Sequence, residues 1–272
     1  MATLTQINVY PIKSLGGIQL SHAYVGETGL ALDRQLMLVD KNGKFVTARK
    51  WPHLLAFQVL LDDKGWVVVS PSGEQLSITR SQFNQSVDVN IWRHDMKAVC
   101  AEESVNTWFG KQLNSDVRLV SVCNESARYV ADATQEIAFS DGYPLLIIGQ
   151  GSLNELNQRA TEDSIMEQFR TNMVFDGEMG FVEDTWQRVR IGEVEFEFVK
   201  PCERCVMTTV NFDDYSFRRN KEPLATLKQF RADPKGRLMF GENLIAANRG
   251  VIKVGDKIEV LATHEPVTYG AK

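Results

Sequence analysis

Two cysteines separated by two residues, Cys202 and Cys205, are the side chains of this sequence best suited to metal or redox chemistry. A cysteine thiolate is a soft metal ligand, and nearby positive charge lowers the pKa of the thiol. Because Lys200 and Arg204 flank the pair, one of the two thiols could be ionised at neutral pH. The segment therefore predicts either a metal ligand or a reactive thiol.

The spacing of the pair alone leaves several chemistries open. A structural zinc site needs four ligands, usually two such pairs, and Cys100 and Cys123 are not spaced as a second pair. A thioredoxin-like dithiol needs the pair between a strand and a helix start, whereas the β-branched run 206–210 predicts a strand after it. These two chemistries are disfavoured but stay open, and two further interpretations are favoured: one thiolate that binds another soft metal centre, and two small apolar residues that fill a core.

The composition sets the class of protein that must position these thiols. With 272 residues, of which 43% are hydrophobic and 24% charged, the chain predicts one large or two ordinary folded domains. A net charge of −5 argues against nucleic acid and membrane partners, so any anion site must be a local cluster of basic residues. The sequence has no apolar run of membrane-spanning length and no secretory signal at its start. With only four cysteines, we expect a cytoplasmic protein with free thiols.

The elements indicate a mixed fold. Short strands separated by turn clusters at 62–65 and 70–73 predict a mainly antiparallel, barrel-like sheet in the first hundred residues. Farther on, Val105, Trp108 and Phe109 share one helical face, and capping boxes at 152–155 and 164–167 predict two more helix starts. A strand over 194–198, a short helix after Pro223 and a hairpin-like pair of strands over 251–260 complete the α/β (α+β) class.

Several separate motifs agree in order with one known family. Residues 202–211 (CERCVMTTVN) and 219–227 (RNKEPLATL) resemble the signature of the MOSC family, in its branch of mitochondrial amidoxime-reducing components and YcbX-type proteins. Further segments are similar to the same branch: 9–14 (VYPIKS), 32–40 (LDRQLMLVD), 46–49 (VTAR), 169–174 (FRTNMV) and 183–186 (EDTW). The resemblance implies an N-terminal β-barrel module (1–115) packed on a MOSC β-barrel domain (116–263) with a few short helices, followed by a tail or the start of a linker (264–272).

The resemblance also implies a cofactor and its ligands. The family binds molybdenum through a molybdopterin dithiolene and one protein cysteine, which aligns with Cys205; Cys202 aligns with a neighbour that is not catalytic. The positions implied as cofactor-binding are Lys13, Ser14, Arg34, Asp141, Arg170, Asn172 and Thr208. A phosphate group needs ammonium, guanidinium and backbone donors, and the residue types agree with that need.

The local sequence adds expectations for these positions. The turn at Gly16-Gly17 could present backbone N–H groups to an anion. We expect the Arg34 guanidinium to be exposed at the start of an apolar strand. Arg170 is expected at the end of a short helix that begins at Ser164. Thr208 either fills a strand or donates a hydrogen bond that orients the metal ligand.

The activity implied by the resemblance is the reduction of N-hydroxylated compounds, such as hydroxylamines, amidoximes and N-hydroxylated bases, to the amine or amidine. Such a reductase needs an electron-donor protein, either a ferredoxin-like domain or a flavoprotein reductase. YcbX-type proteins carry a C-terminal [2Fe-2S] domain, but no cysteine follows Cys205 here, so no iron–sulfur cluster is expected in this chain. Two other functions stay open: sulfur transfer through a cysteine persulfide, and binding of the cofactor without turnover.

Overall fold

The computed structural model describes residues 2–130 and 135–270. Residues 1, 131–134 and 271–272, which the expected domains and tail include, lie outside the described residues. The α-helices of the described part are α1 (Glu103–Leu113), α2 (Gln150–Arg159) and α3 (Leu224–Phe230). The 3-10 helices are Pro52–Ala56, Arg80–Gln82, Met166–Phe169, Val182–Thr185 and Val206–Thr209.

Strands make up most of the regular structure. The first thirteen are β1 (Leu4–Val9), β2 (Ile18–Leu20), β3 (His22–Gly26), β4 (Gly29–Leu30), β5 (Leu36–Asp40), β6 (Gln58–Asp62), β7 (Gly65–Val69), β8 (Gln75–Thr79), β9 (Phe83–Ile91), β10 (His94–Ala101), β11 (Val117–Ser121), β12 (Arg128–Tyr129) and β13 (Glu136–Ile137). The others are β14 (Leu145–Gly149), β15 (Met173–Phe175), β16 (Trp186–Ile191), β17 (Val194–Glu203), β18 (Met239–Ala246), β19 (Gly250–Lys253) and β20 (Ile258–Thr263).

The chain divides into two compact units. Unit 1 comprises the described residues within Met1–Val9, Gln19–Ala31 and Tyr143–Lys272, and unit 2 comprises Tyr10–Ile18 and the described residues within Leu32–Gly142. The expected division at 115/116 and 263/264 stays a prediction.

Unit 2 is built from antiparallel sheets. A four-stranded sheet has the order β5-β11-β10-β9, a three-stranded meander has the order β6-β7-β8, and β12 pairs with β13. The Asp62 carboxylate closes the β6–β7 turn by accepting the amides of Lys64 and Gly65 at 2.8 and 2.9 Å. Met37, Ile91 and Phe139 lie in the core of this unit, beneath the four-stranded sheet.

Unit 1 is organised around an eight-stranded sheet with the order β2-β1-β15-β14-β18-β17-β16-β20. β14 and β15 run parallel, whereas β18 pairs antiparallel with both β14 and β17. A smaller sheet has the order β19-β3-β4. Phe169, Leu227 and Phe240 belong to the core that helices α2 and α3 cover.

The predicted class is confirmed: the fold is mixed, mainly antiparallel, with a few short helices. The helix through Val105 and Phe109 forms as α1, and both turn clusters at 62–65 and 70–73 join paired strands. The strand predicted over 194–198 forms as part of β17, and the helix after Pro223 forms as α3. Local patterns sufficed here because the hydrophobic periodicity and the turn residues agree with the tertiary fold.

Three local predictions are wrong. Ser152 does not cap a helix, since α2 begins at Gln150 and the Ser152 hydroxyl instead donates to Glu183 at 2.7 Å. The helix expected at Ser164 begins at Met166, where the Gln168 side chain accepts the Ile165 amide. The segment 251–260 is no hairpin, because β19 pairs with β3 and β20 pairs with β16. Long-range partners decided the first and third cases, and a local hydrogen bond between Ile165 and Gln168 decided the second.

Among residues 2–130 and 135–270, no helix has both the length and the hydropathy needed to cross a membrane.

Candidate functional site

The turn Ile12–Leu15 in unit 2 holds two of the predicted cofactor-binding residues, Lys13 and Ser14. The Leu15 amide donates to the Ile12 carbonyl oxygen at 3.1 Å, and Ser14 has a left-handed φ of 72°. The third position of such a turn favours glycine, so a serine there is strained. The Lys13 amide donates to the Leu36 carbonyl oxygen at 2.8 Å, which ties the turn to β5.

The two glycines after this turn are needed for close packing. The Gly16 amide donates to the Phe57 carbonyl oxygen at 2.9 Å, so the expectation that it faces an anion is wrong for Gly16. A Cβ on Gly16 would lie 2.6 Å from that oxygen, and one on Gly17 would lie 2.5 Å from Cε1 of the Tyr10 ring. Neither position can accept a side chain without movement of its neighbour.

The Lys13 ammonium is buried and held by two acceptors. It donates to the Phe139 carbonyl oxygen at 2.8 Å and forms an ion pair with Asp141. Burial lowers the pKa of Lys13 to about 8, although the Asp141 carboxylate opposes the shift. Lys13 is therefore charged at neutral pH but close to losing its proton.

Arg34 is mostly buried, and the expectation of an exposed guanidinium is wrong. Only 15% of its side chain is exposed, because the guanidinium pairs with Asp33 and lies 4.6 Å from the centroid of the Tyr10 ring. Asp33 in turn accepts the Tyr10 amide at 2.7 Å. Arg34 has a left-handed φ of 47° and lies two residues before β5 begins at Leu36, close to the strand start that the sequence predicts.

Asp141 connects the cations of unit 2. Its Oδ1 accepts hydrogen bonds from Lys13 and from Nε1 of Trp92, the latter at 3.1 Å, and its Oδ2 accepts Nη2 of Arg49 at 2.9 Å. Burial would raise the pKa of Asp141, but the charges of Lys13 and Arg49 outweigh it and hold that pKa well below its usual range. Asp141 is thus a carboxylate at every physiological pH.

We call this group of charges the basic cluster. Asp141 interacts electrostatically with four cations, which are Lys13, Arg34, Arg49 and Arg128. Two carboxylates, Asp33 and Asp141, face these four positive charges. The cluster has an excess of positive charge in a chain whose net charge is −5. Such a local excess favours binding of an anion.

Three members of this region received no role from the sequence. Arg49 lies in the motif 46–49 that carries the resemblance, so a signal for it existed. Arg128 donates through Nη1 to the carbonyl oxygens of Ala138 and Ser140, both at 3.0 Å, and no local pattern indicates these partners. Trp92 occupies a tight turn with a left-handed φ of 58°, which is an unusual position for a large aromatic residue.

Cys205 in unit 1 lies between the end of β17 and the 3-10 helix Val206–Thr209, so the predicted strand over 206–210 is wrong. Threonine hydroxyls close the turn: Thr208 Oγ1 donates to the Cys205 carbonyl oxygen at 3.0 Å, and Thr209 Oγ1 donates to that of Val206 at 2.7 Å. Side-chain bonds of this kind compete with strand formation. Cys205 is a half-buried cysteine, outside any disulfide, at the start of this turn.

The two cations that flank the cysteines are engaged elsewhere. Arg204 donates through Nε to the Phe240 carbonyl oxygen at 2.8 Å and through Nη1 to that of Phe169 at 3.2 Å. Its Nη2 is buried and has no hydrogen-bond partner among the described residues. The Lys200 ammonium lies 4.9 Å from the centroid of the Tyr143 ring. Burial raises the pKa of Cys202, and Arg204 only partly opposes this, so Cys202 is a protonated thiol.

Arg170 and Asn172 lie next to each other along the chain, after the 3-10 helix Met166–Phe169. Arg170 ends the helix with a left-handed φ of 52°, and its amide donates to the Glu167 carbonyl oxygen at 3.1 Å. Asn172 is buried and donates through Nδ2 to the Asn8 carbonyl oxygen at 3.1 Å. Both residues are therefore held in fixed positions by the backbone around them.

Gln168 connects this helix to the segment that carries Cys205, a link that sequence reasoning missed. Its Nε2 donates to the carbonyl oxygens of Thr208 and Val210, at 2.9 and 3.0 Å. Of the two readings of Thr208, strand filling is wrong, because the hydroxyl caps the Cys205 carbonyl oxygen. The Thr208 side chain thus fixes the backbone of Cys205.

A second group of charges in unit 1, which we call the acidic cluster, consists of Glu183, Asp184 and Glu242 around Arg231. All four residues are buried, and Arg231 pairs with both carboxylate oxygens of Asp184. The Arg231 guanidinium also lies 4.1 Å from the centroid of the Tyr269 ring. The structure thus gives Asp184 a partner within the protein.

Comparison with known proteins identifies the family. The MOSC N-terminal beta barrel domain matches residues 1–116, and the MOSC domain matches residues 134–259. Mitochondrial amidoxime reducing component 2 of Macaca fascicularis is 32% identical over 279 residues, which cover 95% of this chain and 83% of that protein. Mitochondrial amidoxime-reducing component 1 of Homo sapiens is 31% identical, with 96% and 83% covered.

A more distant relative has a different name. The Molybdenum cofactor sulfurase of Oryza sativa subsp. japonica is 29% identical over 265 residues, which cover 88% of this chain but 32% of that protein. Together with the two matched domains, these relatives show that the chain belongs to the MOSC-domain family that includes the mitochondrial amidoxime-reducing components.

Proposed function

We propose that this chain is a molybdenum-cofactor-dependent reductase of N-hydroxylated compounds, in which Cys205 is the protein ligand of the metal. The main supporting observation is the setting of Cys205, a half-buried cysteine outside any disulfide, whose carbonyl oxygen accepts hydrogen bonds from the Thr208 amide at 3.1 Å and from the Thr208 hydroxyl at 3.0 Å. A thiolate on a backbone fixed in this way is a suitable ligand for a soft metal centre.

The residues present fit an anionic pterin cofactor. In unit 2 the excess positive charge of the basic cluster suits a phosphate group, which Lys13, Ser14 and Arg34 would bind while Asp141 holds Lys13 in place. In unit 1 the buried Nη2 of Arg204, unpartnered in the described residues, is a donor suited to an anionic group near Cys205. Arg170 and Asn172 would bind the pterin or its phosphate, and Thr208 would orient the backbone of the ligand.

The substrate class comes from the relatives named as amidoxime-reducing components. When bound, the cofactor supplies two-electron redox chemistry. Reduction of an N–OH group consumes two electrons and two protons, breaks the N–O bond and releases water. Electrons would come from a donor protein, either a ferredoxin-like domain or a flavoprotein reductase.

A comparison of the two cysteines tests this function. Wild-type protein purified from a host that makes the cofactor should contain about one molybdenum per chain and should reduce an aromatic amidoxime with a chemical electron donor. Cys205→Ala should lose both the molybdenum and the activity. Cys202→Ala is the matched control and should retain most of both, because Cys202 is a half-buried thiol whose raised pKa keeps it protonated. Normal turnover by Cys205→Ala would exclude the assignment.

Sulfur transfer is the second candidate, favoured by the relative named Molybdenum cofactor sulfurase. A persulfide mass on Cys205 in protein that contains no molybdenum would support it. Molybdenum without turnover of any N-hydroxylated substrate would instead indicate a protein that carries the cofactor.

A further inference from the structure

Trp92 is an aromatic residue at a backbone position that disfavours it. It is the first residue of the two-residue turn between β9 and β10, since Ile91 and His94 are paired, and its φ is 58°. Turns with a left-handed residue at this place favour glycine or asparagine. A β-carbon there is strained, so other contacts must hold the indole in position.

The same backbone conformation marks several predicted cofactor-binding residues. Nine non-glycine residues in the described part of the chain have a left-handed φ, and three of them are Ser14, Arg34 and Arg170. Strained conformations concentrate at functional sites, where the surrounding structure maintains them. Trp92 is another of the nine, and its indole contacts Asp141, a further predicted cofactor-binding residue in the basic cluster.

Three contacts fix the indole. Its Nε1 donates to Oδ1 of Asp141 at 3.1 Å, the Arg49 guanidinium carbon lies 4.5 Å from the ring centroid, and the Phe45 ring centroid lies 4.9 Å away. Arg49 also donates to Oδ2 of Asp141 at 2.9 Å. Trp92, Arg49 and Asp141 therefore form a closed triangle in which each member contacts the other two.

Simple core filling does not account for the indole. Trp92 is 43% exposed, although the ring contacts three side chains. A buried aromatic residue is selected for the area that it hides from water, whereas this one remains at the surface and contacts a charged pair. Its contacts restrict the Arg49 guanidinium to one orientation, and they fix the carboxylate that holds Lys13.

We propose that Trp92 is a positioning residue of an anion site, and that it clamps Arg49 against Asp141 so that Arg49 and Lys13 bind one phosphate group together. This role extends the basic cluster beyond the residues that the sequence assigns, and it rests on the proposed binding of an anionic cofactor there. Without the clamp, the long Arg49 side chain would sample several rotamers, and binding would have to restrict them.

Phosphate binding by the full chain purified without cofactor tests the clamp. Calorimetric titration with inorganic phosphate at pH 7 should give a dissociation constant about tenfold higher for Trp92→Gly than for wild type, because both the ring and its N–H are lost. Trp92→Phe keeps a ring for Arg49 but loses the bond to Asp141, so we expect an increase of about threefold. Tyr215→Gly is the matched control, since Tyr215 also has a left-handed φ, of 55°, but lies in unit 1 outside the cluster.

A spectroscopic measurement separates positioning from general loss of structure. Phosphate should change the tryptophan fluorescence of wild type and of Trp51→Phe, and the change should disappear in Trp92→Phe. Equal phosphate affinity in Trp92→Gly and wild type, together with weak binding by Lys13→Met, would overturn the clamp but leave the anion site intact. If the wild-type protein does not bind phosphate, both the clamp and the anion site are overturned. Molybdenum retained by wild-type protein would then support only the role of Cys205 as metal ligand.

Discussion

The two groups of charge, one fully buried and one partly exposed, balance opposite excesses of charge. The basic cluster in unit 2 places four cations around two carboxylates, whereas the acidic cluster in unit 1 places three carboxyl groups around one guanidinium. In the acidic cluster protonation reduces the excess negative charge: burial raises the pKa of Glu242 to about 9, and its protonated carboxyl hydrogen-bonds to Asp184. Burial also raises the pKa of Glu183. That cluster needs nothing from outside the protein.

The basic cluster has no equivalent solution. Guanidinium groups do not lose a proton in proteins, so among its cations only Lys13, with a pKa of about 8, can become neutral. At neutral pH the excess positive charge remains and is best compensated by a bound anion. The comparison predicts that the acidic cluster stabilises the fold, and it agrees with our proposal that the basic cluster binds an anion.

The largest expected effect concerns Arg231. Arg231→Met should lower the free energy of unfolding by about 3–5 kcal/mol, because it leaves buried carboxylates without their cation. Urea denaturation measures this change. The control is Arg190→Met, whose ion pairs with Glu195 and Glu259 lie at the surface, so its loss should change the free energy of unfolding far less. Equal stability of the two variants would contradict a structural role for the acidic cluster.

Lys13→Met should have a large effect on anion binding and a small effect on stability, the opposite of Arg231→Met. We expect the dissociation constant for inorganic phosphate to rise at least about tenfold, since a bound anion loses its ammonium partner. The free energy of unfolding should change far less than in Arg231→Met, because Asp141 keeps Arg49 as a partner. Titration calorimetry and urea denaturation of the same preparation measure both quantities. A variant that unfolds easily but binds phosphate normally would remove the distinction between the clusters.

The pH dependence of anion binding should report the Lys13 proton. Because burial lowers the pKa of Lys13 to about 8, sulfate binding should weaken by several-fold between pH 7 and pH 9, as the ammonium loses its charge. Sulfate is the better probe here, since its own charge is constant over this range. In Lys13→Met the affinity should be lower and independent of pH between 7 and 9; an unchanged slope would assign the titration to another group.

The smallest effect is expected for Glu242→Gln near neutral pH, because an amide replaces a carboxyl group that is already protonated. The folded pKa of Glu242, about 9, lies above its ordinary value of 4.5, so the stability it contributes is full below pH 4.5 and is lost as the pH rises through 9. The stability of Glu242→Gln should therefore depend less steeply on pH than that of wild type between about pH 4.5 and pH 9. Parallel profiles for the variant and wild type, measured by thermal denaturation, would contradict a protonated Glu242.

Much of the fold was predictable where the local pattern and the tertiary partners agree. The amphipathic periodicity of α1 and the aspartate-containing turn at 62–65 are signals within one element. The segment 206–210 misled because β-branched residues favour strands, while the threonine hydroxyls bond back to the chain and close a turn. Whether this segment forms a strand or a turn depends on hydrogen-bond geometry that the residue types alone do not determine.

The candidate site shows the same limit. Family resemblance proposes Lys13, Arg34 and Asp141, and the structure brings these three together in unit 2. The motif 46–49 could have singled out Arg49, but its contact with Asp141, 92 residues away, could not be read from the chain. Trp92 is 49 residues from Asp141, and a sequence separation of this size leaves no periodic trace. The pairing of β9 with β10 places Trp92 in a tight turn, and its contact with Asp141 depends on the tertiary fold.

The close approach of Gly17 to the Tyr10 ring links a distant backbone position to the proposed anion site. A single methyl group at position 17 would enter the space of the Tyr10 ring, the surface on which the Arg34 guanidinium lies. Gly17→Ala would thus push the Tyr10 ring out of place and so displace the Arg34 guanidinium, which position 17 does not contact directly. Glycine at position 17 would then be required for ligand affinity rather than for backbone flexibility. A small substitution there would weaken anion binding without contacting the anion.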